Sequence, residues 1–211
     1  MSIKISLNFS PNFDPKKRKK SEIKFIVFHY TGMKSQKKAI DKLLDQNSKV
    51  SCHYLIKNNG DIIKMVPENY QAWHAGISSW KKYKSLNKNS IGIEITNPGH
   101  EFKYKKFSKN QIFSLIKLTK YLVKKFKISP KSILGHSDIA PDRKLDPGEK
   151  FPWEFLSKNK IGIWHDLNLN KIKYNKIITS AFQRRFRQEL VNGKIDKECL
   201  IISENLSKKF N

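Results

Sequence analysis

The chain has 211 residues, 38% of them hydrophobic and 11% aromatic, which fits one folded domain with a sizeable core plus a modest appendage and excludes a disordered polymer. Its formal charge of +25 comes from 38 lysines and only five arginines (18, 143, 184, 185 and 187), in a sequence also rich in Asn and Ile, as AT-rich coding produces. A site that reads bases favours arginine forks, so no specific nucleic-acid partner is expected, whereas a polyanionic substrate is compatible with the lysine coat.

No run approaches the roughly 18 apolar residues of a membrane span. The basic opening "MSIKISLNFSPNFDPKKRKK" lacks the apolar stretch of a secretory leader. A cytoplasmic location is therefore expected for the chain as it stands, or a periplasmic one if a leader has been removed. Cys52 and Cys199 stand far apart and suggest buried, reduced thiols rather than a disulfide framework.

In chain order, "IKFIVFHY" (23–30) is a nearly continuous apolar run, as in a strand covered on both faces. "TGMKSQKKAIDKLLDQ" then turns into a helix through Ile40, Leu43 and Leu44. "CHYLIKNNGDIIKMV" (52–66) is two apolar runs around Asn58-Asn59-Gly60-Asp61, a hairpin signature. In "SIGIEITN" (90–97), Ile91, Ile93 and Ile95 face one way, Gly92 and Glu94 the other. "FSKNQIFSLIKLTKYLVKKF" opens with the capping-box pair Ser108 and Gln111 and continues at a helical period, Pro130 follows its end, and "SILGH" is a further short strand. Strands alternating with helices predict an α/β class, a mixed β-sheet flanked by helices on both faces. After "DLNLNKIKYNK" (166–176) a short helical C-terminal tail begins, so the expected division is a domain over residues 1–165 and a tail over 166–211.

His29 and His136 each close an apolar strand, the place where sites gather in open α/β sheets. A lone histidine there is more often a packed structural residue. With Asp146, on the loop "PDRKLDPGEKFPW" (141–153), the two fit a two-His-one-carboxylate zinc set with a position open for water, but the spacing is no compact motif and leaves both readings open. Glu94 is either a solvated strand residue or a carboxylate aimed at a site. Lys144, two residues before Asp146, is either a coat lysine or a cation near that site.

Six blocks in order, "FIVFHYTGM", "SCHYLIKNNGDI", "MVPENYQAWHAG", "WKKYKSLNKNSIGIEITNPG", "ILGHSDIAPDRKLDPGEKFPW" and "IGIW", resemble those of the zinc-dependent N-acetylmuramoyl-L-alanine amidases of the AmpD/AmiD type, which are related to phage lysozyme-type amidases and peptidoglycan recognition proteins. The resemblance covers roughly residues 10–165. It implies one Zn2+ per chain, held by His29, His136 and Asp146, with Glu94 as general base and Lys144 as the cation beside the scissile carbonyl. It further implies Trp73, His74, Tyr30 and Asn59 as pocket wall and Arg143 as a carboxylate-binding residue. The third ligand, a cysteine in the phage-type branch, is here Asp146, so neither cysteine is implicated. Relatives often carry Arg before "AWHAG", where this chain has Gln71, so the grip on a peptide-stem carboxylate is weaker or falls to a lysine. His53 is expected to pack under the site, and His100 and His165 to lie on the surface.

The reading implied is a peptidoglycan amidohydrolase, acting as a monomer on peptidoglycan or muropeptides at the bond between muramic (or anhydro-muramic) acid and L-alanine. The alternatives are a non-catalytic peptidoglycan-binding protein, which usually lacks a zinc ligand, and a zinc peptidase acting on cell-wall peptides. The tail "ITSAFQRRFRQELVNGKID" resembles the second half of a helical peptidoglycan-binding module whose first half is missing or too short; it is expected to dock as an amphipathic helix, with Arg184, Arg185 and Arg187 available to an anionic wall polymer.

Overall fold

A computed structural model of the protein describes residues 4–165 and 176–210. Among the described residues there are ten strands: β1 (Ile5–Leu7), β2 (Phe13–Asp14), β3 (Phe25–Tyr30), β4 (Tyr54–Ile56), β5 (Ile62–Lys64), β6 (Gln71–Ala72), β7 (Ser79–Trp80), β8 (Tyr83–Lys84), β9 (Ser90–Ile95) and β10 (Ile133–Gly135). The helices are α1 (Gln36–Leu44), α2 (Lys109–Phe126), α3 (His136–Ile139), α4 (Trp153–Lys158), α5 (Lys176–Phe186) and α6 (Lys197–Phe210).

Six strands form the main sheet in the order β1-β5-β4-β9-β3-β10. The stretch β4-β9-β3-β10 is parallel, while β5 runs antiparallel to β4, which makes the sheet mixed as expected. The β4–β5 hairpin turns through Gly60 at φ +91, where a side chain would also meet the backbone of Asn110 at 2.8 Å. β2 with β6 and β7 with β8 form two small ribbons too short to leave a periodic signal in the sequence.

The alternation of apolar residues divides the core between the two faces. Ile26, Phe28, Ile91, Ile93 and Ile95 pack with Leu115, Leu118 and Leu122 of α2 and with Trp153 and Leu156 of α4. On the other face, Phe25, Val27 and Leu134 pack with Ala75, Leu86 and Ile139, and Leu55 and Ile63 pack with Leu43 of α1. Burying each such Leu or Ile contributes about 1.5–3 kcal/mol. The predicted capping box is formed: Ser108 Oγ accepts the Gln111 N–H at 3.2 Å and Gln111 Oε1 accepts the Ser108 N–H at 3.0 Å. Gln111 Nε2 also donates to Thr96 O at 2.7 Å, which fixes the start of α2 beside the end of β9.

Cys52 and Cys199 are both buried and free. No helix among the described residues is long and apolar enough to cross a membrane. The boundary expected near residue 166 lies outside the described residues. Beyond it, α5 lays Arg185 over the Trp153 ring of α4 at 4.1 Å. The expectation that Arg184, Arg185 and Arg187 face an anionic polymer is corrected: their exposures are 7%, 4% and 2%, because their guanidiniums point into the protein.

Candidate active site

The site stands on three neighbouring parallel strands. In the β3–β9 register His29 pairs with Glu94, and on the other side of β3, Gly135 of β10 pairs with Phe28, so His136 follows one residue later at the level of His29. Both His29 and Glu94 project to the face opposite the isoleucines. Asp146 arrives from the loop after α3, pinned by the Ser137 N–H donating to Asp146 O at 2.8 Å.

The three side chains converge. His29 Nδ1 lies 3.0 Å from His136 Nδ1 and 3.0 Å from Asp146 Oδ2, and His136 Nδ1 lies 3.1 Å from that same oxygen. All three groups are buried. Their protons follow from groups with only one possible role. Ser90 Oγ donates to Leu86 O at 2.6 Å, since a carbonyl only accepts. Ser90 Oγ therefore accepts from His74 Nε2 at 3.1 Å, and His74 Nδ1 accepts from His29 Nε2 at 3.0 Å. His136 Nε2 donates to Ala75 O at 3.1 Å. When both imidazoles are neutral, as metal binding requires, both Nδ1 atoms are lone pairs, aimed at each other and at a carboxylate.

Burial, reinforced by His136, pushes the His29 imidazole down to about 4, and burial with His29 and His53 close by holds His74 well below the usual histidine range. Three converging lone pairs without a proton between them repel unless a cation sits among them. A tetrahedral ion with bonds of about 2.0–2.1 Å sets its ligand atoms roughly 3.3 Å apart, close to the triangle found here, and two imidazoles with one carboxylate suit zinc. The donor set fits the metal.

His74, expected as pocket wall, stands mostly behind His29 and is 8% exposed. It has room because residue 92 is glycine: a Cβ there would lie 2.3 Å from His74 Cγ. Ser90, which ends this chain of hydrogen bonds, escaped the sequence reading because one serine in a strand carries no signal. Ser90→Ala is expected to free His74 and hence the His29 ring, lowering zinc affinity by about 10–100-fold, the usual effect of removing such support. Competition with a chromophoric chelator measures it, and an unchanged Kd would mean that the chain of hydrogen bonds does not orient His29.

Glu94 Oε2 is buried with no hydrogen-bond partner among the described residues. Burial, and then the charge of Asp146, push its carboxyl up to about 8, with Lys144 and Lys42 opposing. An orphaned, proton-hungry oxygen beside the cluster of His29, His136 and Asp146 is suited to moving a proton.

A cleft of about 420 Å³ opens over these groups, and Tyr30, Trp73, Arg143 and Lys144 all line it. Tyr30 Oη donates to His100 Nδ1 at 2.8 Å, and His100 Nε2 donates to Glu149 Oε2 at 2.9 Å. His100, expected on the surface without a role, therefore orients a cleft tyrosine. Arg143 donates through Nε to Ile77 O at 3.0 Å and through Nη2 to Ala75 O at 2.7 Å, so part of its fork clamps the loop whose carbonyl holds His136. Asn59 is not brought to the cleft: it stands exposed in the β4–β5 turn, donating to Asp61 at 3.0 Å. His53 packs beneath the site against the His74 ring, as expected, and Gln71 lies in β6. His165 is half-buried and bonds Phe186 O at 2.9 Å. A larger cavity of about 730 Å³ between α4 and the tail includes none of these groups apart from His165.

Residues 19–149 match the profile of the N-acetylmuramoyl-L-alanine amidase family Amidase_2. The chain is 35% identical over 233 residues to N-acetylmuramoyl-L-alanine amidase AmiD of Escherichia coli (strain K12), covering 89% of this chain and 83% of that one. The structure of that enzyme with its substrate anhydro-N-acetylmuramic acid-L-Ala-D-gamma-Glu-L-Lys superposes with a TM-score of 0.82 at 32% identity over 90% of each chain. AmpDh3 of Pseudomonas aeruginosa, in complex with anhydromuramic pentapeptide, gives a TM-score of 0.80 at 29% identity over 93% of this chain and 94% of that one. The 1,6-anhydro-N-acetylmuramyl-L-alanine amidase AmpD of Haemophilus influenzae is 34% identical over 170 residues, 72% of this chain and 90% of that one.

Proposed function

The chain belongs to the N-acetylmuramoyl-L-alanine amidase family, and on that premise we propose how its residues carry out the reaction. It hydrolyses the amide between a muramic acid lactyl group and the L-alanine of a stem peptide, with muropeptides of the anhydro-muramic type as substrates. The observation that supports this most is the meeting of His29 Nδ1, His136 Nδ1 and Asp146 Oδ2 near Glu94, whose Oε2 has no hydrogen-bond partner among the described residues.

Zinc, when bound by His29, His136 and Asp146, supplies Lewis acidity that acidifies water and polarises the scissile carbonyl. The chain's own residues do the rest. Glu94 takes the proton of the attacking water and delivers it to the leaving amine, so a C–O bond forms, the C–N bond breaks and the nitrogen leaves neutral. Lys144, on the cleft wall, meets the negative charge that the carbonyl oxygen gains in the transition state. Tyr30, its hydroxyl proton committed to His100, keeps oxygen lone pairs to accept a hydrogen bond from substrate.

Product analysis by mass spectrometry on an anhydro-muramyl tripeptide tests the reading. Free tripeptide with an N-terminal alanine and intact anhydro-muramic acid are expected; cleavage within the peptide would make the protein a peptidase instead. Running intact sacculi beside the soluble muropeptide reads the preference between polymer and fragment.

Lys144→Ala is expected to lower kcat by about 10²–10³ with little change in KM, because an oxyanion partner acts mainly in the transition state. Lys120→Ala, on the exposed side of α2, is the comparison and should cost almost nothing. Equal, small effects on steady-state kinetics at full zinc content would return Lys144 to the lysine coat.

A further inference from the structure

Three of the five arginines in this lysine-rich chain are buried in or just after α5, and one of them reaches the metal site's scaffold. Arg185 Nη1 pairs with Asp138 Oδ2, Nη2 donates to Ile133 O at 3.0 Å, and the guanidinium plane lies 4.1 Å from the centre of the Trp153 ring. Asp138 Oδ2 also accepts the Gly135 N–H at 2.7 Å. Ile133 and Gly135 are the two ends of β10, and Asp138 is the third residue of α3, whose first residue is His136. One side chain from the tail thus grips both the strand and the turn that present a metal ligand. The same turn donates from Ser137 N to Asp146 O, so it is also tied to a second ligand's loop.

A buried ion pair is a weak device for stability, since apolar residues of equal volume often serve as well, but its directional bonds fix one arrangement of the elements that it joins. The arginine fork is suited to this, making planar contacts to a carboxylate, a carbonyl and an aromatic face at once, which a lysine cannot do. We propose that Arg185 is a positioning residue of the metal site: through Asp138 it sets the His136 turn, so the C-terminal helix is part of the metal-binding unit. This rests on the reading of His29, His136 and Asp146 as zinc ligands.

The test uses the full chain with Arg185→Met, Asp138→Asn, the double variant and Arg187→Met. Arg187 is the control because it pairs within the tail, with Asp196 and Glu198, and among the described residues has no ion pair with the turn or with a ligand. Zinc Kd by chelator competition, the visible spectrum of the Co2+-loaded protein and the melting temperature of the metal-free protein are measured together. Arg185→Met is expected to weaken zinc binding about 10–100-fold and to shift the cobalt bands. The double variant should bind no more weakly than Arg185→Met alone, as for two residues acting through one contact. Arg187→Met should lower the melting temperature and leave zinc affinity within about twofold. If Arg185→Met does not fold, Arg185→Lys, which keeps the charge and loses the fork, carries the same expectation. Unchanged zinc affinity and cobalt bands in the folded variant, or equal loss of affinity in Arg187→Met, would overturn the proposal. A wild-type protein that takes up no zinc would instead overturn the metal reading, and this inference with it.

Discussion

Glu94→Gln is expected to keep one zinc per chain and to lose about 10²–10⁴ in kcat, the usual size of a missing general base. Glutamine has nearly the same shape and cannot carry the proton. It is also uncharged, as burial at this position favours. The same substitution has a second, independent signature in the metal-free protein. Because burial raises the Glu94 carboxyl from 4.5 to about 8, the neutral acid is the form that the fold prefers. The unfolded chain ionises first, so the stability that Glu94 contributes is present below pH 4.5 and is lost as pH rises through about 8. Thermal melts of metal-free wild type should therefore fall between pH 5 and 8 more than those of Glu94→Gln. Near-wild-type turnover at pH 7 together with parallel melting curves would reduce Glu94 to a structural carboxylate.

His136→Ala is expected to abolish metal retention and to lower kcat/KM by roughly 10³-fold or more, because Lewis-acid stabilisation is worth several kcal/mol and each 1.4 kcal/mol is tenfold. A site with three protein ligands cannot spare one. The variant should still fold, since Ala75 O, which His136 Nε2 holds, keeps the Arg143 Nη2 donor and is not left bare. Metal analysis after dialysis and circular dichroism separate the two outcomes: full zinc occupancy in the folded variant would remove His136 from the ligand set.

Much of this was legible because the informative patterns are local. The apolar run ending at His29, the Asn58–Asp61 turn, the alternating isoleucines of β9 and the Ser108–Gln111 cap each state their structure within a few residues. What a sequence does not state is which strand lies beside which. That His29 stands opposite Glu94, with His136 at the same level on the far side, follows from parallel pairings across long connections, and only the resemblance to a family anticipated it. Contacts made across the chain were likewise not legible. His100 and Arg143 take their roles from Tyr30 and the loop at Ala75–Ile77, which come from elsewhere in the chain. Asn59 belongs to a turn whose geometry is self-contained, and the arginines of α5 read as a surface cluster until the helix is packed.

The long connections between the three site strands bear on how the protein is made. His29 and His136 are separated by 107 positions and His29 and Asp146 by 117, so no fragment of the growing chain holds the complete donor set before most of the domain has closed. Closing such loops is the slow part of forming a parallel sheet. Zinc bound by these three side chains would therefore find no preformed site in the unfolded chain, unlike a metal held by a short finger. In stopped-flow experiments the refolding limb of the chevron should be unchanged by zinc, while the unfolding limb slows in proportion to the affinity of the native state.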